Sequence, residues 1–366
     1  MKAANMSDED KLLKLRDSID ALDNQLLDLI NKRASYAQKV AIVKEELGDD
    51  IYFKPEREAK VLRSVMDRNN GPLENEEIAR LFREIMSACL ALEQPIKVVF
   101  LGPEGTFTQQ AAIKHFGHSA ITKSMNAIDE IFREVDAGSA NYGVVPVENS
   151  TEGVINHTLD AFLASSLKIC GEVELRIHHN LLVGHNTHKD KITRVYSHAQ
   201  SLAQCRQWLD ANYPNAERVA VSSNADAAKR INGEWSSAAI AGDIAADLYD
   251  LEKVSEKIED RPDNSTRFLI VGREDVLSSG DDKTSIIVAS KNQPGALYKL
   301  LAPFYKEGID LTRVETRPSR EGKWTYVFFI DFKGHKDDPG IVKVLSELSQ
   351  NTTDLRVLGS YPKAVL

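Results

Sequence analysis

The 366-residue chain has no run approaching the ~18 apolar residues that a membrane span requires, so no part of it is expected in a bilayer. Cysteine is scarce. Cys89, Cys170 and Cys205 lie far apart and none sits in a Cys-x-x-Cys pair, which argues against a disulfide framework or a zinc site. Positive charge is short as well: the net charge is -9 and there is no long basic tract, so nucleic-acid binding is not expected. The first residues are Met1-Lys2 with acidic positions soon after and no apolar core of a signal peptide. A reducing cytoplasm is the simplest setting. No Gly-Lys-Ser/Thr follows a Gly-rich turn, so a P-loop is not expected.

Between Ser7 and Leu47 there is neither Gly nor Pro. Leu12, Leu15, Ile19, Leu22, Leu26 and Leu29 recur there at three- and four-residue steps, a helical stripe with heptad spacing. Ser7 and Asp10 suit a capping box, and Gly48 suits the stop. Such a helix spans ~60 Å and cannot bury its stripe on its own short neighbours, so an intertwined homodimer is expected. Arg33 falls where the stripe asks for an apolar side chain, with Lys44 about 20° round the helix from it. Cations on an apolar face must be paired or bind an anion. Arg16 projects away from Arg33, toward a partner's site. A second helix is expected from Pro55, carrying Arg57 and Glu58. A third from about Glu74 places Glu93 one turn after Cys89. Four cations and two carboxylates suit a small dicarboxylate.

This set resembles the all-helical chorismate mutases. The resemblance implies that Arg16, Arg33, Lys44 and Arg57 bind the carboxylates and ether oxygen of chorismate, and that Glu58 binds its ring hydroxyl. It also places Glu93 at the ether oxygen. Lys54, Cys89 and Glu93 stand where other members can carry Asp, Ser and Gln.

From Ile96 the pattern changes to short apolar runs alternating with helical stretches, which implies sheets flanked by helices with ligands at strand ends. Those ends carry Thr106, then Glu148-Asn149-Ser150-Thr151, then Ser197-His198-Ala199-Gln200, then Asn264-Ser265-Thr266-Arg267. Hydroxyl, amide and guanidinium groups predominate. His178, His179, His185 and His188 lie close in sequence, but a strand-like run separates them, so structural or exposed histidines are expected rather than a metal site. No cofactor is expected.

Gly102-Pro103-Glu104-Gly105-Thr106-Phe107, Val145-Pro146-Val147-Glu148-Asn149-Ser150, Tyr196-Ser197-His198-Ala199-Gln200 and Ser265-Thr266-Arg267-Phe268, in that order, resemble the prephenate dehydratases. That family implies an α/β fold of two lobes like a periplasmic binding protein, with the site in the cleft. It implies Thr266 as the catalytic residue, donating a proton to the leaving ring hydroxyl, with Arg267, Asn149 and nearby hydroxyls, including those of Ser150, Thr151, Ser197 and Ser265, holding the carboxylates.

A polar linker leads to a βαββαβ pattern over the last eighty residues, the ferredoxin-like arrangement. Gln293-Pro294-Gly295-Ala296-Leu297 and Glu315-Thr316-Arg317-Pro318 resemble the phenylalanine-binding ACT domain, with Thr316 for the usual Ser. The whole chain is thus similar to the bifunctional chorismate mutase–prephenate dehydratases: an all-α mutase domain (1–95), a two-lobed α/β dehydratase domain (96–273) and an α+β ACT domain (283–366). Chorismate, prephenate and L-phenylalanine are the implied ligands, in a dimer or tetramer. Two other readings stay open, a non-catalytic amino-acid sensor and a dehydratase whose helical domain only clamps a dimer.

Overall fold

The computed structural model describes residues 7–48, 51–291, 293–318 and 325–365. Three helices come first: α1 (Asp8–Leu47), α2 (Pro55–Asp67) and α3 (Asn75–Glu93). The capping box at Ser7 forms, with the Ser7 hydroxyl accepting from the Asp10 amide at 3.1 Å. Gly48 ends α1 in the left-handed region at φ 66°. None of the forty residues of α1 is buried in the single chain, and Leu15 and Leu29 are each more than 60% exposed.

The dehydratase-like region begins with β1 (Lys97–Leu101), α4 (Phe107–Phe116), β2 (Ile121–Met125), α5 (Ile128–Asp136), β3 (Tyr142–Asn149), β4 (Gly153–Val154), α6 (Asn156–Ala164) and β5 (Lys168–Arg176). The chain then crosses to a second lobe. That lobe holds β6 (Asn180–Val183), β7 (Arg194–His198), α7 (Ala199–Gln204), α8 (Arg206–Asn212), β8 (Glu217–Val221), α9 (Asn224–Ile231), β9 (Ser237–Ala241), α10 (Asp243–Leu248) and β10 (Glu252–Ser255). It returns through β11 (Ser265–Gly272), which inserts antiparallel between β3 and β5. The two sheets run β2-β1-β3-β11-β5 and β10-β6-β9-β7-β8. The strand that carries Thr266 thus completes the sheet of the first lobe. It does so because Phe268, Ile270 and Val271 are apolar enough for the middle of a sheet buried on both faces.

The C-terminal unit is β12 (Asp282–Lys291), α11 (Ala296–Lys306), β13 (Leu311–Pro318), β14 (Thr325–Lys333), α12 (Pro339–Asn351) and β15 (Asp354–Pro362), in sheet order β13-β14-β12-β15. It is not tethered by a linker alone. Ile287, Val327, Phe329, Leu358 and Tyr361 share one hydrophobic core with Val145, Leu159, Phe162 and Ile169 of the first lobe. Gly359 permits the closest approach: a Cβ there would lie 2.2 Å from the Ile169 carbonyl oxygen, so only glycine lets β15 lie against β5. Among the described residues no helix is long and apolar enough to cross a membrane. All three cysteines are buried and unpaired.

Candidate active sites

The helical unit encloses a cavity of about 470 Å³ lined by Arg33, Lys44, Arg57, Glu58, Cys89 and Glu93, among others. The sequence reading therefore assembles five of its six charged residues in one place. Arg16 does not line this cavity. It lies exposed on the N-terminal half of α1. Lys44 Nζ donates to the Ile51 and Tyr52 carbonyls at 3.2 and 3.0 Å and sits over the Tyr52 ring. Burial raises the Glu93 carboxyl above its ordinary range, although Lys44 and Arg33 pull the other way.

Glu58 has a partner that sequence reasoning missed. Arg83 Nε donates to Glu58 Oε1 at 3.1 Å, and both side chains are largely buried. Arg83 also donates to the Lys114 carbonyl on α4, which ties this wall of the cavity to the first lobe. Burial raises the Glu58 carboxyl, and Arg83 offsets part of that shift. The one available signal was a lone arginine on the apolar face of α3, where only a buried carboxylate could justify it.

Between the two lobes lies a cleft of about 350 Å³. Thr106, Asn149, His198, Gln200, Asn264 and Thr266 line it, as expected. At its centre Asn149 Nδ2 donates to Thr266 Oγ1 at 2.8 Å and to Asn264 Oδ1 at 3.1 Å. Because Thr266 Oγ1 accepts there, its own proton is left for an acceptor in the cleft. Asn264 Nδ2 donates to Gln204 Oε1 at 3.2 Å, and His179 Nε2 donates to the same oxygen at 2.8 Å. His179 is 1% exposed, and burial lowers its pKa, so the ring is neutral. Its Nδ1 has no hydrogen-bond partner. His179 is thus a buried neutral ring in the cleft wall, a position the sequence pattern did not single out. His178 pairs with Glu259, His185 with Asp250, and the His188 ring meets Trp235. Among the described residues no three metal-binding side chains converge.

Several expected ligands do not face the cleft. Arg267 follows Thr266 on a strand, so its side chain leaves on the opposite face. There it pairs with Glu172 at 2.9 Å and Asp331 at 2.6 Å. Glu148 leaves on that face too and pairs with Arg313 at 3.5 Å. Ser197 is fully buried, its hydroxyl donating to the Ile240 carbonyl at 2.7 Å. Ser150 Oγ accepts from the Ser265 amide at 2.9 Å, and Thr151 Oγ1 donates to Asn264 Oδ1 at 3.1 Å. These three shape the loop rather than line the cleft.

With Arg267 withdrawn, no lysine or arginine among the described residues lines the cleft. Four helix starts do. Thr106, His198, Ser223 and Gly242 are the N-caps of α4, α7, α9 and α10. First-turn N–H groups and the positive ends of helix dipoles favour carboxylates without a side-chain cation, although the His198 and Ser223 side chains each take up one N–H of their own helix. Strand-end positions in an open α/β sheet signalled this. The convergence of four of them depends on how the lobes meet.

In the C-terminal unit a cavity of about 340 Å³ is lined by Gly295, Ala296, Leu297 and Thr316, with Tyr298, Tyr326 and Phe328 beside them. Gly295 opens α11 at φ 78°. Arg317 does not line this cavity. It alternates with Thr316 on β13 and pairs instead with Asp160 on α6 at 2.7 Å. Pro294, Glu315 and Pro318 are likewise outside it.

A helical cavity rich in cations, a two-lobed cleft built from hydroxyls and amides, and a ligand-sized cavity in a ferredoxin-like unit define two enzymes and a binding module in one chain. Residues 15–94 match the chorismate mutase type II family, residues 98–276 the prephenate dehydratase family and residues 284–350 the ACT domain. The bifunctional chorismate mutase/prephenate dehydratase of Pseudomonas aeruginosa is 67% identical, over 99% of this chain and 100% of the relative. That of Escherichia coli K12 is 31% identical, over 98% and 97%. A solved prephenate dehydratase of Arthrobacter aurescens, in complex with L-Phe, aligns at a TM-score of 0.68 and 34% identity, over 74% of this chain and 90% of that one. The chain belongs to the bifunctional chorismate mutase/prephenate dehydratase family and carries both activities. Neither a non-catalytic sensor nor a bare dimer clamp fits that membership.

Proposed function

We propose that the helical cavity is the mutase site, that the interlobe cleft is the dehydratase site, and that the ACT cavity takes L-phenylalanine as a feedback inhibitor. The division of labour follows 1–95, 96–273 and 283–366, in a cytoplasmic enzyme. In the mutase, Arg33, Lys44 and Arg57 hold chorismate in its reactive shape and place positive charge at the breaking ether bond. Glu58, oriented by Arg83, accepts from the ring hydroxyl. No covalent intermediate is needed, because restraint and electrostatics supply the acceleration.

In the dehydratase, the bond to the leaving carboxylate breaks and its electron pair enters the ring. The ring hydroxyl departs as water, taking its proton from Thr266, and CO2 and phenylpyruvate remain. The observation that carries this reading is the 2.8 Å hydrogen bond from Asn149 to Thr266 Oγ1. It stabilises the negative charge that grows on that oxygen as the proton leaves. Helix starts hold the carboxylates.

Chorismate fed to the purified chain should yield prephenate and then phenylpyruvate, the second step slowing as L-phenylalanine is added. Gly295→Asp should keep both basal activities and lose most of that sensitivity, since a side chain at φ 78° strains the cavity wall. A variant inhibited as readily as the parent would place the effector elsewhere.

The apolar stripe of α1 is where a second copy packs, carrying Arg16 into the partner's cavity. What supports this is the exposure of Leu12, Leu15, Ile19, Leu22, Leu26 and Leu29 in the single chain, a patch too large for an isolated protein. Sedimentation should give a dimer or a multiple of one at micromolar concentration. A monomer with full mutase activity would sink the idea.

A further inference from the structure

Asn149 and Thr266 are cross-strand partners on β3 and β11, and the next pair along is Glu148 with Arg267. The first pair meets in the cleft. The second leaves on the back of the same sheet, where both of its members meet the C-terminal unit, Arg267 also pairing with Glu172 of its own lobe at 2.9 Å. Arg267 Nη1 donates to Asp331 Oδ2 at 2.6 Å and Nη2 to the Tyr361 hydroxyl at 3.0 Å. Ser285 and Tyr361 close the network behind Asp331, which is 5% exposed. Arg313 reaches Glu148 at 3.5 Å, yet its Nε and Nη2 are buried and make no hydrogen bond. The ladder between β3 and β11 shifts register just after Arg267, so the geometry of Thr266 is not locked by the sheet alone.

We infer that Asp331, acting through Arg267, is a positioning residue for the dehydratase reaction: the C-terminal unit holds the Thr266–Asn149 pair in register from behind the sheet. Arg313 does the same through Glu148. The grip also connects two sites. Phe328 lines the ACT cavity, and Asp331 lies three residues further along β14. Thr316 lines that cavity too, and Arg313 lies three residues earlier on β13. A ligand that moves β14 or β13 therefore moves an ion pair one residue from Thr266 or from Asn149 respectively. The half-satisfied Arg313 is the contact most easily remade, because a buried guanidinium gains when its missing partners return. This last link rests on the reading of the cavity as the L-phenylalanine site; the positioning role does not.

The test is Asp331→Asn in the full chain, which keeps the shape and removes the charge. Dehydratase kcat should fall about tenfold, because small misplacements of reacting groups cost that much or more, with KM for prephenate within about twofold. Mutase kcat and KM stay at the parent's values. A double-mutant cycle with Arg267→Met and Asp331→Leu should be strongly non-additive in dehydratase kcat, the double variant being no worse than either single one. Additive losses, or Asp331→Asn with parental kcat, overturn the proposal. If Asp331→Asn loses mutase activity as well and so is misfolded, Arg313→Gln carries the same test, and parental dehydratase kcat in that variant also overturns it. L-phenylalanine separates the two readings. A parent chain insensitive to it, with Asp331→Asn still slow, refutes the effector site and upholds the positioning role. A sensitive parent whose Asp331→Asn variant is equally fast and equally sensitive does the reverse.

Discussion

Thr266→Ala should lower dehydratase kcat by about 10²- to 10⁴-fold, the range for losing a positioned acid. The mutase should be untouched, because the helical cavity and the cleft share no lining residue. The fold should survive. Asn149 loses one acceptor at 2.8 Å but keeps Asn264 Oδ1 at 3.1 Å, so the cost is about 1 kcal/mol rather than that of an orphaned amide. KM for prephenate should change little, since the carboxylates are assigned to helix starts rather than to this hydroxyl. Thr266→Ser, which restores a hydroxyl without the methyl group that fixes its rotamer, should recover part of the rate. A folded Thr266→Ala variant that loses both activities in parallel, or neither, would remove Thr266 from its role.

Mutase activity should fall as pH rises, by about tenfold per unit once the pH passes the pKa of Glu93. The ether oxygen of chorismate only accepts a hydrogen bond, and an ionised carboxylate cannot donate one. As the proposed donor to that oxygen, Glu93 has to hold its proton while substrate is bound. The sign follows from its surroundings. Burial, the largest influence, raises its pKa; Lys44 and Arg33 lower it, and the net direction is up. A raised pKa keeps the donating form present to higher pH, and substrate carboxylates that neutralise the two cations extend that range further. Glu58 acts in the opposite sense, since its ionised form is the stronger acceptor and the partner of Arg83, and its own pKa is raised by burial. It shapes the acid limb, and Glu93 the alkaline limb. Glu93→Gln should flatten the alkaline limb alone and leave the dehydratase profile as it was. A parent mutase rate level from about pH 5 to 9 would contradict the assignment, as would a Gln variant with an unchanged alkaline slope.

The local parts of this protein were legible before any fold was known. The capping box at Ser7, the stop at Gly48, the start at Pro55 and the βαββαβ order after Asp282 depend on neighbours within a few residues, where propensity and capping dominate. The lining of the helical cavity was nearly complete in the sequence, because its charged residues sit on helices whose faces follow from a period of 3.6 residues. Its missing member, Arg83, is a partner to a ligand rather than a ligand. The strand-borne site was harder. Thr266 and Arg267 are adjacent in sequence and the family pattern puts both in one site, yet strand alternation sends them to opposite faces of one sheet. Which face looks into the cleft depends on where the second lobe returns, and what waits behind the sheet depends on where the ACT unit docks. The sequence by itself therefore determined the family, the order of the three units and, Arg16 apart, the charged residues that line the helical cavity, since these are written in short-range pattern. Only the tertiary structure decided that Arg267 and Glu148 meet the C-terminal unit, that four helix starts converge on the cleft, and that His179 belongs to its wall. Those relations join residues tens to hundreds of positions apart, and only the packing of sheets on one another brings them together.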